Sequence, residues 1–253
     1  LAGGYVGRHA RDSLGPRVKV EPTMEASGFR GEMVSIIGLG REGKALARFL
    51  SRKGAQVTVS DIKGEEDLEE RAEELTHLPI QFALGGHPES LLEAGILYVS
   101  PGVPLEIPLL QEARRRGVPI SSETRLFFQL CPAPIIGVTG SSGKTTTVTL
   151  VGQILEAEGR TTYVGGNIGS PLIEKVEEIE PQAIVVTELS SFQLENLEMS
   201  PHIACILNIT PNHLDRHGTM EDYIAAKLNV LRYQNEDDWA VLGKDDLVTR
   251  GFI

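Results

Sequence analysis

The chain has 253 residues, of which 41% are hydrophobic, and a formal net charge of −11 at pH 7. This length gives room for two domains, and the composition supports packed cores, which excludes a disordered protein. The net negative charge argues against binding of nucleic acid, because that binding requires basic stripes on the protein surface. Apolar runs have only strand length, so no membrane span is predicted. Two cysteines cannot form a disulfide framework, and a reducing cytoplasmic location is expected.

Residues 1–30 contain glycines and prolines without a sustained period. They also lack the apolar segment of a signal peptide. The chain begins with Leu1, and Met24 and Met33 are possible starts. We therefore expect residues 1–30 to be a disordered or non-native extension.

A regular α/β pattern begins at Met33, with apolar strands that alternate with helix-like segments. Predicted strands lie at 34–37, 57–59 and 96–99, and predicted helices lie at 45–52, 65–75 and 108–117. Such alternation predicts a parallel sheet with right-handed crossovers. Residues 31–123 are therefore interpreted as a Rossmann-like domain.

Three glycines follow the first of these strands in the spacing Gly38-x-Gly40-x-x-Gly43, and Asp61 ends the second strand. This is the pattern of a dinucleotide-binding loop. Nicotinamide binding, a purely structural glycine turn and binding of another nucleotide diphosphate all fit it. The last reading is favoured, because a dehydrogenase does not need the phosphate loop found further along the chain.

A second domain is predicted over residues 124–253, and it opens with a connecting helix at 123–130 that Cys131-Pro-Ala-Pro134 ends. Its predicted strands lie at 135–136, 183–186, 203–207 and 239–242, and its helices run to about residue 158 and over 171–179 and 220–234. The expected fold is a P-loop-type α/β ATPase domain, incomplete in this chain.

The strand-to-helix junction of this domain is rich in glycine and carries Lys-Thr at the first helical turn. Backbone N–H groups of such a loop hold phosphates, the lysine reaches the β- and γ-phosphates, and the threonine hydroxyl binds Mg²⁺. The spacing departs from the general P-loop, which has glycine where this chain has Val138. The predicted nucleotide-binding residues are Thr139, Gly140, Ser141, Ser142, Gly143, Lys144, Thr145 and Thr146.

Glu188 follows a predicted apolar strand, where a carboxylate would lie at the ligand-binding edge of the sheet and complete a Mg²⁺ site. His213 follows the next strand and is expected beside it, whereas His217 is interpreted as structural. Lys227 lies on a predicted helix, and composition alone gives it only a solvated charge.

Together these motifs resemble the Mur ligase family. The resemblance runs from about Met33 to the C-terminus, and the strings at 165–169 and 188–195 resemble members that add D-glutamate. The motifs are Gly-Leu-Gly-x-x-Gly, Ser-Pro-Gly, Thr-Gly-Ser-x-Gly-Lys-Thr-Thr, Gly-Gly-Asn-Ile-Gly, Glu-Leu-Ser-Ser-Phe-Gln-Leu-Glu, Asn-His-Leu-Asp-Arg-His and Tyr-x-x-Ala-Lys.

The resemblance implies an ATP-dependent ligase of peptidoglycan synthesis. ATP converts the carboxylate of UDP-N-acetylmuramoyl-L-alanine to an acyl phosphate, which the amine of D-glutamate attacks. It implies two Mg²⁺ ions, with Lys144, His213 and Lys227 catalytic and Lys227 carried as a carbamate. The implied metal ligands are Thr145, Glu188, His213 and Lys227, and the implied substrate contacts are Arg41, Asp61, Lys63, Ser100, Asn167 and His213.

Members of the family have a third domain, and we expect this chain to be truncated before it. The fragment is therefore expected to be a monomer that does not complete peptide-bond formation alone. A catalytically incomplete nucleotide-binding module and another member of the family remain alternatives, and a nicotinamide-dependent oxidoreductase is disfavoured.

Overall fold

A computed structural model describes residues 4–7 and 28–252 of the chain. They fall into two compact units. Of the described residues, 28–130 belong to the first unit, and 4–7 together with 131–252 belong to the second. The division falls between Leu130 and Cys131 rather than at 123/124, because the helix at Glu123–Leu130 packs within the first unit.

The first unit is a parallel five-stranded sheet with the order β4-β3-β2-β5-β6. The strand order reverses between β2 and β5, which is the position where open α/β sheets bind ligands. Its strands are β2 Met33–Ile37, β3 Gln56–Asp61, β4 Ile80–Leu84, β5 Ile96–Val99 and β6 Ile120–Ser121. Its helices are α1 Arg41–Arg52, α2 Glu65–Glu73, α3 Pro108–Arg116 and α4 Glu123–Leu130, with a 3-10 turn at Glu89–Glu93.

The second unit is a six-stranded sheet with the order β1-β11-β10-β7-β9-β8. The order reverses around β7, so the loops after β7, β9 and β10 meet at one edge. Its strands are β1 Gly4–Gly7, β7 Ile135–Thr139, β8 Thr162–Gly166, β9 Ile184–Glu188, β10 Ile203–Ile206 and β11 Trp239–Gly243. Its helices are α5 Lys144–Ala157, α6 Ser191–Leu194, α7 Leu214–His217, α8 Met220–Arg232 and α9 Leu247–Arg250.

The Rossmann-like parallel sheet and the P-loop-type sheet are both present as predicted. Four of the described strands were not predicted: β1, β4, β6 and β8. The helix predicted at 171–179 is a 3-10 segment at Leu172–Glu178. Within the residues described, no helix is long and apolar enough to cross a membrane.

The N-terminal segment differs in part from the expectation of disorder. Gly4–Gly7 forms β1, which pairs antiparallel with β11 and gives that edge of the sheet a partner. The rest of the prediction for residues 1–30 lies almost wholly outside the described residues.

Candidate active site

The glycine-rich loop of the first unit connects β2 to α1, and two of its three glycines have a packing reason. A Cβ on Gly38 would lie 2.9 Å from the Ser100 Cβ, and a Cβ on Gly43 would lie 2.0 Å from the Gly38 carbonyl oxygen. A Cβ on Gly40 would meet nothing within 4 Å, and Gly40 faces a cavity. Close packing therefore explains why glycine is needed at 38 and 43, whereas Gly40 leaves space for a ligand.

This first-unit cavity, of about 600 Å³, lies at the carboxyl edge of the sheet, between the loops after β2, β3 and β5. The four residues predicted to bind substrate in this unit all line it: Arg41, Asp61, Lys63 and Ser100. Arg71 and His87 also line it. Three of these side chains are cationic, which suits an anionic ligand such as a diphosphate.

Asp61 has a role within the loop as well as a place in the cavity. Its Oδ2 accepts the Leu39 N–H at 2.8 Å, and its Oδ1 accepts the Lys63 N–H at 3.0 Å. Ser100 Oγ similarly donates to the Gly38 carbonyl at 3.0 Å. Both side chains therefore fix the glycine-rich loop that a nucleotide would approach.

The phosphate loop lies between β7 and α5, as predicted, and Gly143 begins the helix with φ of 80°. That left-handed conformation favours glycine. Asn208, after β10, holds the loop from the opposite side: Oδ1 accepts from the Ser142 N–H at 3.0 Å and Nδ2 donates to the Ser142 carbonyl at 3.1 Å. Ser141 Oγ donates to the Thr210 carbonyl at 2.9 Å. The loop shape is thus set by the segment after β10.

Thr145 and Glu188 are adjacent, as predicted. Thr145 Oγ1 donates to Glu188 Oε2 at 2.7 Å, and Glu188 is only 2% exposed. The other oxygen, Oε1, accepts from Asn167 Nδ2 at 2.9 Å, and the Asn167 N–H donates to the Glu188 carbonyl. The contact that the structure shows for Asn167 is therefore with Glu188, and a contact with substrate stays a prediction. A hydroxyl beside a carboxylate is a donor set that suits Mg²⁺.

Lys227 is buried, at 1% exposure, and contacts the end of β7. Its Nζ donates to the Gly140 carbonyl at 3.1 Å and to Thr139 Oγ1 at 3.3 Å, and lies 4.7 Å from the Tyr223 ring centroid. Lys144 Nζ donates to the same Gly140 carbonyl at 3.0 Å. Burial, and secondarily the charge of Lys144, lower the pKa of Lys227 to about 7. The interpretation of Lys227 as a solvated charge, which rested on composition alone, is therefore wrong.

A capping box orients the residues that follow Glu188. Ser190 Oγ accepts from the Gln193 N–H, and the Gln193 side chain accepts from the Ser190 N–H. This begins α6, whose Phe192 ring stacks on His217 at 4.9 Å between centroids. His217 is buried and hydrogen-bonds with Ser191 Oγ at 2.9 Å, which confirms its structural role.

His213 lies at the start of α7. It is exposed, adopts a left-handed conformation with φ of 53°, and its ring lies 5.2 Å from that of Phe192. Over residues 28–252, no group of three or more His, Cys, Asp and Glu side chains could hold a metal ion. Its assignment as a ligand, a catalytic group and a substrate contact stays a prediction.

The two units match two domains of one enzyme family. Residues 32–122 match the family model "Mur ligase MurD-like, N-terminal domain", and residues 138–253 match "Mur ligase middle domain". The chain belongs to the Mur ligase family.

Similar sequences narrow the comparison within the Mur ligases. A UDP-N-acetylmuramoylalanine–D-glutamate ligase of Symbiobacterium thermophilum is 50% identical over 222 residues, which cover 87% of this chain and 49% of that protein. The ligase of the same name from Alkaliphilus metalliredigens is 44% identical, over 88% of this chain and 50% of its own. The chain spans about half the length of the curated relatives it matches.

Solved Mur ligase structures share the fold. The UDP-N-acetylmuramate:L-alanyl-γ-D-glutamyl-meso-diaminopimelate ligase of Neisseria meningitides superposes with a TM-score of 0.54 at 19% identity, over 80% of this chain and 68% of its own. UDP-N-acetylmuramate-alanine ligase MurC of Thermotoga maritima superposes with a TM-score of 0.50 at 24% identity, over 79% of this chain and 47% of its own. Both support the two α/β domains.

Some residues of this Mur ligase site were missed from the sequence. Arg71 lies on α2, whose acidic pattern predicted only a solvated face, and His87 follows β4, which was not predicted. Tyr223 lies in a recognised motif and Asn208 lies just before one, but their pairing with the phosphate loop is long-range. Recognition of β4 would have placed His87 at the ligand edge.

Proposed function

We propose that the two units are the UDP-substrate and ATP domains of an ATP-dependent ligase that joins D-glutamate to UDP-N-acetylmuramoyl-L-alanine in peptidoglycan synthesis. The observation that carries the proposal is the arrangement at the end of β7. There Lys144 and Lys227 converge on the Gly140 carbonyl, while Thr145 hydrogen-bonds to the buried Glu188. The relatives named above support the choice of substrates.

In the proposed reaction, a carboxylate oxygen of the UDP-substrate attacks the γ-phosphorus of ATP, and ADP leaves with the bond electrons. The amine of D-glutamate then attacks the acyl phosphate carbonyl, loses a proton and expels phosphate. Two anions must approach one another in the first step, so the site must supply positive charge. Lys144 and the loop N–H groups from Gly140 to Thr146 would supply it at the phosphates.

Bound Mg²⁺ ions, two in this proposal, would neutralise phosphate charge and orient the γ-phosphate. Thr145 and Glu188 fit one such site because both present oxygen atoms. Lys227 as an ammonium does not fit, since it has no lone pair. As a carbamate, formed from the neutral amine and CO₂ with release of a proton, it would present two oxygens that share one negative charge. A pKa of about 7 leaves a substantial fraction of amine able to take up CO₂ near neutrality. His213 is proposed to help bind the second ion.

The first-unit cavity would hold the UDP part, with Arg41, Lys63 and Arg71 facing the diphosphate. Titration calorimetry tests this with the chain itself. We expect heat on addition of UDP-N-acetylmuramoyl-L-alanine and of a non-hydrolysable ATP analogue with Mg²⁺, and none with NADH. Binding of NADH without binding of the UDP-substrate would contradict the proposal. The enzyme is proposed to act as a cytoplasmic monomer.

A further inference from the structure

His87 lines the first-unit cavity but belongs to none of the motifs that identify the family. It lies beyond β4, after Gly85 and Gly86, which have φ of 83° and 158°. Its side chain is half-buried, and its Nδ1 lies 2.8 Å from Ser60 Oγ. A half-buried imidazole at a ligand cavity raises the question of which nitrogen carries the proton.

The hydrogen bonds of Ser60 answer that question. Ser60 is completely buried, and its Oγ lies 2.8 Å from the Gly86 carbonyl oxygen, which can only accept. The single hydroxyl hydrogen is therefore donated to Gly86. Because Ser60 Oγ has no second hydrogen, Nδ1 of His87 must be the donor in the bond between them. The neutral imidazole thus carries its proton on Nδ1, and Nε2 keeps a free lone pair.

The environment favours the neutral form of this imidazole. Burial lowers the pKa of His87, and the negative charge of Asp61 raises it by less. The charged groups that share the cavity are Arg41, Glu42, Asp61, Lys63 and Arg71. Its cations and the loop N–H groups all donate, and each Asp61 oxygen already accepts a backbone N–H. The carboxylates of Glu42 and Asp61 are charged acceptors, so Nε2 adds a neutral acceptor of a different kind to the lining.

We propose that His87, its tautomer fixed by Ser60, accepts a hydrogen bond at Nε2 from an N–H or O–H group of the bound nucleotide. In UDP these donors are the uracil imide and the ribose hydroxyls. The phosphates have no such donor at neutral pH, so His87 serves specificity for the nucleoside rather than attraction of charge. This assignment rests on the proposed binding of UDP in this cavity.

Binding of UDP analogues to the chain tests the assignment. UDP, N3-methyl-UDP, 2′-deoxy-UDP and 3′-deoxy-UDP are titrated into wild type, His87→Ala and His87→Gln, with thermal melting as a folding check. The exposed His77 does not line the cavity, so His77→Ala is the matched control. Loss of one neutral hydrogen bond is expected to weaken UDP binding about three- to tenfold in His87→Ala. His87→Gln, which retains an acceptor, is expected to lose less.

The analogues identify the donor. In wild type, the analogue that lacks the recognised donor should bind more weakly than UDP, and in His87→Ala that difference should disappear. A ratio of analogue to UDP affinity that His87→Ala leaves unchanged would overturn the assignment. If wild type binds UDP but His87→Ala binds it equally well, only the role of His87 fails. If wild type binds no UDP, the proposed function of the cavity fails with it.

Discussion

Lys144 and Lys227 donate to one acceptor, the carbonyl oxygen of Gly140, at 3.0 and 3.1 Å. Two ammonium groups on one carbonyl repel each other, and the more buried one is the easier to neutralise. Lys227 is that group, and its pKa is lowered to about 7. The geometry therefore supplies an amine with a free lone pair beside the phosphate loop near physiological pH.

The first prediction concerns stability as a function of pH. Folding lowers the pKa of Lys227 from 10.5 to about 7, so between these values the unfolded chain binds more protons than the folded one. The penalty of burying the charge is fully present below about pH 7 and is relieved as pH rises toward 10.5. Relative to Lys227→Met, wild type should therefore gain about 1–2 kcal/mol between pH 7 and 9.

Urea denaturation in CO₂-free buffer at the two pH values measures this gain. The exposed Lys175 provides the control, because Lys175→Met should leave a difference from wild type that is independent of pH. A difference between wild type and Lys227→Met that stays constant from pH 7 to 9 would contradict the lowered pKa.

The second prediction concerns the carbamate at Lys227. With ¹³C-labelled bicarbonate, wild type should show a carbamate carbon signal by NMR at pH 8, because the amine there is mostly unprotonated. The signal should be absent from Lys227→Ala and present in Lys175→Ala. A carbamate signal that survives Lys227→Ala would place the modification elsewhere.

The third prediction concerns Asn208, whose amide pairs with both the N–H and the carbonyl of Ser142. Asn208→Ala should loosen the phosphate loop and weaken binding of an ATP analogue about three- to thirtyfold, the range of one or two neutral hydrogen bonds. UDP affinity should not change, since the first-unit cavity is formed by other residues. Asn235→Ala, on an exposed turn, is the control for both affinities, and equal losses of ATP-analogue and UDP binding would indicate general unfolding instead.

The fourth prediction concerns Glu188, which is the buried carboxylate beside Thr145. In wild type, Mg²⁺ should tighten binding of the ATP analogue. Glu188→Gln has nearly the same shape but no charge, so it should reduce that Mg²⁺-dependent gain about tenfold or more while affinity without Mg²⁺ changes little. Calorimetry with and without Mg²⁺ measures the gain, with the exposed Glu178→Gln as the matched variant. An unchanged gain in Glu188→Gln would remove Glu188 from the metal site.

The fifth prediction separates the diphosphate from the nucleoside. Arg71 lines the first-unit cavity, and its Nη1 donates to the Leu39 carbonyl at 3.5 Å. Arg71→Ala should weaken UDP binding by about tenfold at low salt and leave uridine binding unchanged, because only UDP carries the charge. Arg52→Ala, at the far end of α1, is the control. Equal losses for uridine and UDP would mean that Arg71 supports the loop rather than the phosphates.

The phosphate loop and Glu188 were predictable because their signals are local. Gly140, Gly143 and Lys144 lie at a strand-to-helix junction, and Glu188 ends an apolar strand. Their meeting follows from parallel strands, whose carboxyl ends share one edge.

Other features of the fold and of the site depend on tertiary contacts and were not predictable from the sequence. β4 has a weak apolar pattern and half-buried residues, so neither it nor His87 was identified. The position of His213 beside Glu188 stays a prediction, and its left-handed backbone and its contact with Phe192 are set by the loop before α7 and by the start of α6. No periodicity in the sequence carries that information.

The pairing of β1 with β11 has a consequence for how the chain reaches this fold. Gly4 lies opposite Gly243, so the ladder joins residues that are far apart in the sequence. Closing so long a loop costs entropy before any contact compensates for it, and the pairing cannot begin until β11 has been synthesised. β1 is therefore synthesised long before its partner, and this edge of the sheet pairs only after β11 has followed.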